Sequence, residues 1–488
     1  MVPGERMSAI DLAWLRMDRA TNPMTIVTLI VLERPCPLER LKALLGARLL
    51  AHPRFRCTPV DDALGARWAA DPGFDLDAHV GVVRLTGRGR PADLERLVGR
   101  LASMPLPADR PRWRADLVPG YGPGCAVVLR IHHCYADGIA LVKVFLGLTS
   151  DDPAAEPPAA ATPPTTPADD SADWQRLLPA PAAALVGGLV HGARDLLDLG
   201  AAGWRAPGAT LGELGETVAG LGTALSGTVS ELAGLLALPD DPATPLRGAL
   251  GGRRAVAVAP SLPLADVRTV AHALGCTVND VLLSTVAGGL GRYLRRRGVA
   301  TDGMRLRAAV PVNLRPADAP EPLGNRFGLV LAELPVGLEH PLERLYAVRS
   351  AMQALKGSRQ PVATFAVLSA LGWLPAPVEG AAIDLLSRKA SAVISNVPGP
   401  RTRLYLCGCP IGELYFWVPQ SGSIGVGISL LTYADRVLCG MIADAGLVPR
   451  PGAALAGLGP EFERLSLLTL LGAAGVRAPR TRRTAPRH

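Results

Sequence analysis

The chain has 488 residues, of which 49% are hydrophobic and 19% charged. That length gives two or three domains at roughly 150 residues each, and the apolar content excludes a disordered chain. The 53 glycines and 45 prolines show no Gly-X-Y period, which excludes a collagen-like fibre. The formal charge of +8 raises nucleic acid or an anionic membrane as partners. Lysine supplies only Lys42, Lys143, Lys356 and Lys389 of the basic residues, however, and heavy use of Arg, Ala, Gly and Pro together is what GC-rich codons produce. No basic patch with interleaved aromatics occurs, so no nucleic-acid partner is expected.

The first 20 residues mix acids and bases and lack a charged start followed by an apolar core. No secretory signal is read there, and a cytoplasmic location is expected. Residues 26–32 (IVTLIVL) form an apolar run short enough for a buried strand, and residues 37–50 carry Leu38, Leu41, Leu45 and Leu49 at helical spacing. Residues 124–131 (GCAVVLRI) predict a second buried strand, and residues 138–148 place Ile139, Val142, Phe145 and Leu146 on a helical face. Residues 151–170, rich in Pro, Ala and Asp, predict an exposed linker. Residues 174–238 are Ala/Gly/Leu-rich and predict helix. Within them, 217–238 has the length of a membrane span, but its four glycines and Glu231 favour an amphipathic helix on the protein or on a bilayer surface.

Further along, residues 254–258, 306–312, 392–396 and 423–431 predict strands. Residues 261–274 and 279–296 predict helices, the second with small residues, among them Gly288 and Gly289, that permit close packing. The eight cysteines include no CxxC pair and are read as buried, reduced thiols rather than a zinc site or a disulfide framework. Domain boundaries follow at 1–150, at 151–252 for the linker and helical connector, at 253–475, and at 476–488 for a basic tail.

The chemistry concentrates in residues 131–139, IHHCYADGI. The pair His132–His133 ends the second strand, and Asp137 with Gly138 opens the helix that follows, which is where open α/β sheets place sites. Neighbouring strand residues point to opposite sides, so one histidine faces a given cavity. A histidine accepts a proton near neutral pH without a metal, which fits general-base catalysis. Asp137 is placed to hold the loop or pair an arginine, and Gly138 to permit a tight turn. Two other readings of the pair stand beside this one. Two His and one Asp could hold a metal, although HExxH is absent and adjacent histidines seldom converge on one ion. The pair could also be purely structural.

His132-His133 through Asp137-Gly138 resembles the HHxxxDG signature of CoA-dependent acyltransferases, which include chloramphenicol acetyltransferase and peptide-synthetase condensation domains. Other stretches narrow the resemblance to bacterial wax ester synthase/diacylglycerol acyltransferases: the opening residues 7–33, the His52-Pro53-Arg54-Phe55-Arg56 turn, residues 277–281 with Asn279-Asp280, residues 311–315, residues 324–328 (GNRFG), residues 395–400 (SNVPGP) and residues 435–444. They run in order over nearly the whole chain.

The resemblance implies an α/β fold of two chloramphenicol-acetyltransferase-like domains with mixed sheets and an active-site tunnel at their interface. It implies that His133 is the general base, that His132 and Asp137 hold the loop and orient the ring, and that Gly138 allows the turn. Asn279 would bond into the tunnel or fix its wall. Asp280 suits a helix start, and helix capping alone would explain both residues. The implied reaction moves a fatty acyl group from acyl-CoA to diacylglycerol or a long-chain alcohol, with no acyl-enzyme, no metal and no cofactor, acyl-CoA being a substrate. Contact with an anionic membrane or lipid droplet, at the inner face of the plasma membrane, is a further expectation. Three departures bear on the acceptor: Arg112 and Arg114 flank Trp113, and Tyr135 stands within the signature. They keep open another hydroxyl acceptor, such as a polyketide or small metabolite. A non-catalytic lipid-surface protein is the alternative from a different class.

Overall fold

The computed structural model describes residues 4–62, 65–154, 234–235, 237–315, 323–372 and 376–475. Residues 155–170 of the expected linker, the expected helical connector up to residue 233 and the basic tail lie outside them. The helices are α1 (Ala9–Arg16), α2 (Leu38–Leu44), α3 (Pro91–Ala102), α4 (Gly138–Leu148), α5 (Leu264–Ala273), α6 (Val278–Arg296), α7 (Pro341–Leu355), α8 (Gln360–Leu371), α9 (Ala376–Ser387), α10 (Pro451–Leu455) and α11 (Leu458–Gly475). The strands are β1 (Thr25–Leu32), β2 (Cys57–Asp62), β3 (Gly65–Ala70), β4 (Val80–Val82), β5 (Trp113–Tyr121), β6 (Gly124–His132), β7 (Arg254–Val258), β8 (Leu262–Pro263), β9 (Leu306–Asn313), β10 (Phe327–Leu334), β11 (Ala392–Pro398), β12 (Tyr405–Leu406), β13 (Cys409–Trp417), β14 (Val426–Tyr433) and β15 (Arg436–Asp444).

Two mixed sheets carry the fold. The first runs β12-β13-β1-β6-β5-β4 and the second β10-β9-β11-β14-β15-β7, with β8 pairing β15. The first is antiparallel except where β4 meets β5, and the second holds parallel pairs of β11 with β9 and β14. Every residue of β6 is buried, as its continuous apolar run predicts for a central strand. Its one charged residue, Arg130, is held 3.3 Å from Asp116 on β5 and donates to the Leu101 carbonyl, so the buried charge is paired. The first sheet also takes in residues 405–417 from the C-terminal part of the chain, with β13 antiparallel to β1 from Val27–Trp417 to Leu32–Ile411. The two parts are therefore joined through a shared sheet as well as through side chains.

The local patterns translate into packing. Helix α6 starts with a reciprocal cap, in which the Thr277 hydroxyl accepts from Asp280 N–H and the Asp280 carboxylate from Thr277 N–H. Gly288 on α6 makes room for the Arg344 guanidinium, which a Cβ would meet at 2.6 Å. Glycine also seats the walls around the later site: a Cβ at Gly328 would fall 1.8 Å from the Pro361 carbonyl, so β10 and α8 touch backbone to backbone. The predicted helix at 261–274 starts only at Leu264, because Leu262 and Pro263 pair with Val437 and Arg436 of β15. The strand predicted from residue 423 starts at Val426, after a turn in which Gly422 has φ +55°. All eight cysteines are free, and six of them are buried. Among the described residues, no single helix is long and apolar enough to cross a membrane.

Candidate active site

The carboxyl end of β6 turns into α4 through residues 133–137, and this turn divides the two histidines. His132, the last residue of β6, faces away from the large cavity: its Nε2 lies 3.5 Å from the Asp18 carboxylate, and its Nδ1 accepts from the Cys134 N–H. Arg112 shares the same carboxylate oxygen of Asp18 at 3.5 Å. His133 faces the opposite way and lines a cavity between the two sheets. Its walls combine Trp14 and Met17 from the N-terminal part with Pro311, Phe327 and Leu329 from β9 and β10, helices α8 and α9, and Ser395 of β11. They are largely hydrocarbon and aromatic, which is the chemistry of a site for long acyl chains.

Several contacts fix His133. Its ring stacks on Trp14 with centroids 3.8 Å apart and an angle of 18°, and Phe327 lies 5.8 Å away. Its N–H donates to the Met24 carbonyl at 2.7 Å, and its carbonyl accepts from Asn325 Nδ2 at 2.9 Å. Nδ1 is enclosed without a hydrogen-bond partner. Burial pushes the imidazole down to about 3; its own backbone carbonyl and Asn325 favour the protonated form, and His132 opposes it. The resting ring is therefore neutral at physiological pH, the state in which it can accept a proton.

Asp137 does not touch the imidazole through any hydrogen bond. Its Oδ1 caps α4 by accepting from Ala140 N–H at 2.9 Å, and its Oδ2 accepts from Arg326 N–H at 2.9 Å and lies 2.8 Å from Arg315 Nη1. Asp137 itself is buried, and through these bonds it clamps the loop to the C-terminal part of the chain. Gly138 differs from expectation. Its φ is not positive, and it is the first residue of α4. A Cβ there would meet Val418 Cγ1 at 3.4 Å, an ordinary contact, at the wall of the cavity that both residues line. Asn279 and Asp280 are buried away from that wall. Asn279 Oδ1 accepts from Asn396 Nδ2 at 2.8 Å, which braces the strand that presents Ser395, while Asp280 serves the α6 cap.

The sequence reading assigned no role to Asp11, Trp14, Arg54 or Asn325. Buried Asp11 receives both the Asn325 N–H and its Nδ2, at 3.1 and 2.8 Å, and Arg54 reaches Asp11 at 3.4 Å and the Tyr135 carbonyl at 2.8 Å. The chain Arg54–Asp11–Asn325 thus ends on the carbonyl of His133. The signal for Arg54 and Asn325 was their place in the HPRFR and GNRFG stretches. Tyr135, expected to bear on acceptor size, faces the core. Its ring stacks on Phe55, and its hydroxyl donates to the Cys57 carbonyl at 2.7 Å and accepts from Arg112 N–H at 2.9 Å. Arg114 pairs with Asp116 at 2.8 Å. Among the described residues, no group of three His, Cys, Asp or Glu could hold a metal ion.

A two-sheet fold with a histidine-lined cavity between the sheets is the arrangement of the condensation-domain and chloramphenicol-acetyltransferase class. The first condensation domain of the calcium-dependent antibiotic synthetase superposes with a TM-score of 0.58 at 17% identity, over 96% of both chains. The wax ester synthase/diacylglycerol acyltransferase from Marinobacter aquaeolei VT8 superposes at 0.65 and 20% identity, over 95% of this chain and 99% of that one. At the level of sequence, residues 7–282 match the wax ester synthase/diacylglycerol acyltransferase catalytic domain and residues 323–466 the C-terminal domain of the same family. A Mycobacterium tuberculosis protein named "Probable diacyglycerol O-acyltransferase tgs1" is 30% identical over 473 residues, 94% of this chain and 95% of that protein. The chain belongs to the wax ester synthase/diacylglycerol acyltransferase family and is an acyltransferase.

Proposed function

We propose that the enzyme moves a fatty acyl group from acyl-CoA to a lipid hydroxyl, giving triacylglycerol from diacylglycerol or a wax ester from a long-chain alcohol. The observation that carries this is the neutral, buried His133 on the wall of an apolar cavity. Nε2 accepts the proton of the acceptor O–H as that oxygen attacks the thioester carbonyl carbon. The C–S bond breaks, and the departing thiolate takes the proton back from the imidazolium as free CoA-SH. No acyl-enzyme forms, and the reaction calls for no metal or cofactor. Trp14 and Asn325 hold the ring in place, and the apolar walls exclude the water that would hydrolyse the thioester. His132 and Asp137 act on the loop rather than on the substrate. The experiment is CoA release from palmitoyl-CoA with diacylglycerol, hexadecanol or a short-chain alcohol. Release with either lipid acceptor is expected; release only with a small polar alcohol would move the reading to a different acceptor.

Lipid substrates also call for contact with a membrane or droplet surface. Leu467, Leu470 and Leu471 support it: they lie on one face of α11 and are 58, 65 and 69% exposed. The basic tail that follows, with Arg477, Arg480, Arg482, Arg483 and Arg487, suits anionic headgroups. Flotation with phosphatidylglycerol vesicles at low salt tests this. Loss of flotation in Leu470→Glu/Leu471→Glu is expected, and a wild type that stays at the bottom of the gradient would contradict it.

A further inference from the structure

Beside the apolar cavity lies a second, polar one, and Met17, Ile383 and Ser421 line both. Arg16 and Arg19 reach it from α1 and the turn beyond, and Glu379 and Asp384 from α9. Glu379 is 2% exposed, and neither of its carboxylate oxygens has a hydrogen-bond partner. Burial raises its pKa to about 7, against the lowering influence of Arg16 and Arg19. Gly380, one residue on, keeps space for the guanidinium opposite, since a Cβ there would stand 2.5 Å from Arg19 Nη2. A buried carboxyl group with two open acceptor positions calls for donors.

The mixed charge discriminates between the two substrates. Diacylglycerol and a fatty alcohol each carry one O–H, which is consumed at His133; the rest is ester oxygen or hydrocarbon. The CoA handle carries amide N–H groups, a hydroxyl and an amine that can donate to Glu379, together with phosphates that suit arginine.

We propose that the chamber walled by Arg16, Arg19 and Glu379 receives the CoA handle of the donor, with the thioester passing Met17 to reach His133. The assignment rests on the acyl-CoA reading above and gives it a direction: the handle enters between α1 and α9, and the hydrocarbon fills the apolar cavity. The test compares palmitoyl-CoA with the palmitoyl thioester of N-acetylcysteamine, which lacks the phosphates and most of the handle. In Arg19→Ala and Glu379→Gln the kcat/KM ratio of the first donor to the second is expected to fall by about tenfold or more, the worth of a charge-assisted hydrogen bond. Arg19 is exposed, so its replacement leaves the fold intact. An unchanged ratio in both variants would overturn the proposal. Calorimetric titration with CoA alone separates it from the reading beneath it. Weaker CoA binding by Arg19→Ala upholds the chamber even if no acceptor turns over. Equal CoA affinity in Arg19→Ala and wild type, with transfer active, removes the chamber and leaves the acyltransferase reading standing.

Discussion

At the end of β6, His132 sits among charges: Asp18 lies 3.5 Å from its Nε2, and Arg112 shares that carboxylate. One residue further on, His133 meets the indole of Trp14, the ring of Phe327 and the cavity, and its ring is hydrogen-bonded to no carboxylate. Burial lowers the pKa of both rings, but the hydrogen bond and charge of Asp18 pull His132 back up, while His133 has no carboxylate to do so, only its own backbone carbonyl and Asn325. The difference shows how one dipeptide serves two purposes. The charged side ties β6 to the residues before β1 and to Arg112. The apolar side leaves an imidazole without a competing proton, and aromatic stacking keeps it in register with a substrate. Asp137 extends the charged side across to the C-terminal part of the chain through Arg315.

That contrast can be broken from the charged side. The largest stability loss is expected at Arg315→Met, which leaves the buried Asp137 carboxylate with backbone donors and no ion-pair partner and should cost about 3–5 kcal/mol. Urea unfolding would show it as a lower midpoint, and a loss under about 1 kcal/mol would mean that water reaches the pair. Tyr135→Phe should cost less, about 1–3 kcal/mol, because the Cys57 carbonyl loses its donor and the Arg112 N–H its acceptor. Its KM for lipid acceptors should stay at the wild-type value, since the ring faces the core; a changed acceptor preference would put Tyr135 in the site.

A third test sharpens the apolar side and concerns pH. His133 is held near 3 in the folded enzyme, against about 6.5 for a free histidine. Its contribution to stability is fully present above pH 6.5. It is lost as pH falls toward 3, where the unfolded chain binds a proton that the folded chain refuses. His133→Asn should flatten that part of the stability profile. For the same reason kcat/KM should show no acid limb near the ordinary histidine value. An inflection near pH 6.5 that disappears in His133→Asn would place the ring in a more polar setting than the one described.

Much of the framework was legible because it is local. The buried run at 124–131, the Asp137 cap of α4 and the α6 helix follow from apolar period and capping chemistry within a few residues. The opposite facing of His132 and His133 follows from strand alternation. What was not legible depends on pairing across the chain. Nothing near residues 409–417 says that they complete the sheet begun by β1, and Asp11 meets Asn325 across 314 positions. Gly138 shows the limit of a local reading too: a glycine after Asp suggests a turn, but its φ lies outside the left-handed region and it opens α4.

The central claim is that the histidine facing the cavity does the chemistry and its neighbour does not. Single-turnover CoA release from bound palmitoyl-CoA and diacylglycerol, measured for His133→Ala and His132→Ala, tests it most directly. His133→Ala is predicted to slow release by about 10²–10⁴-fold with little change in unfolding midpoint, while His132→Ala lowers the midpoint and keeps the larger share of the rate. Release by His133→Ala at the wild-type rate would contradict the assignment.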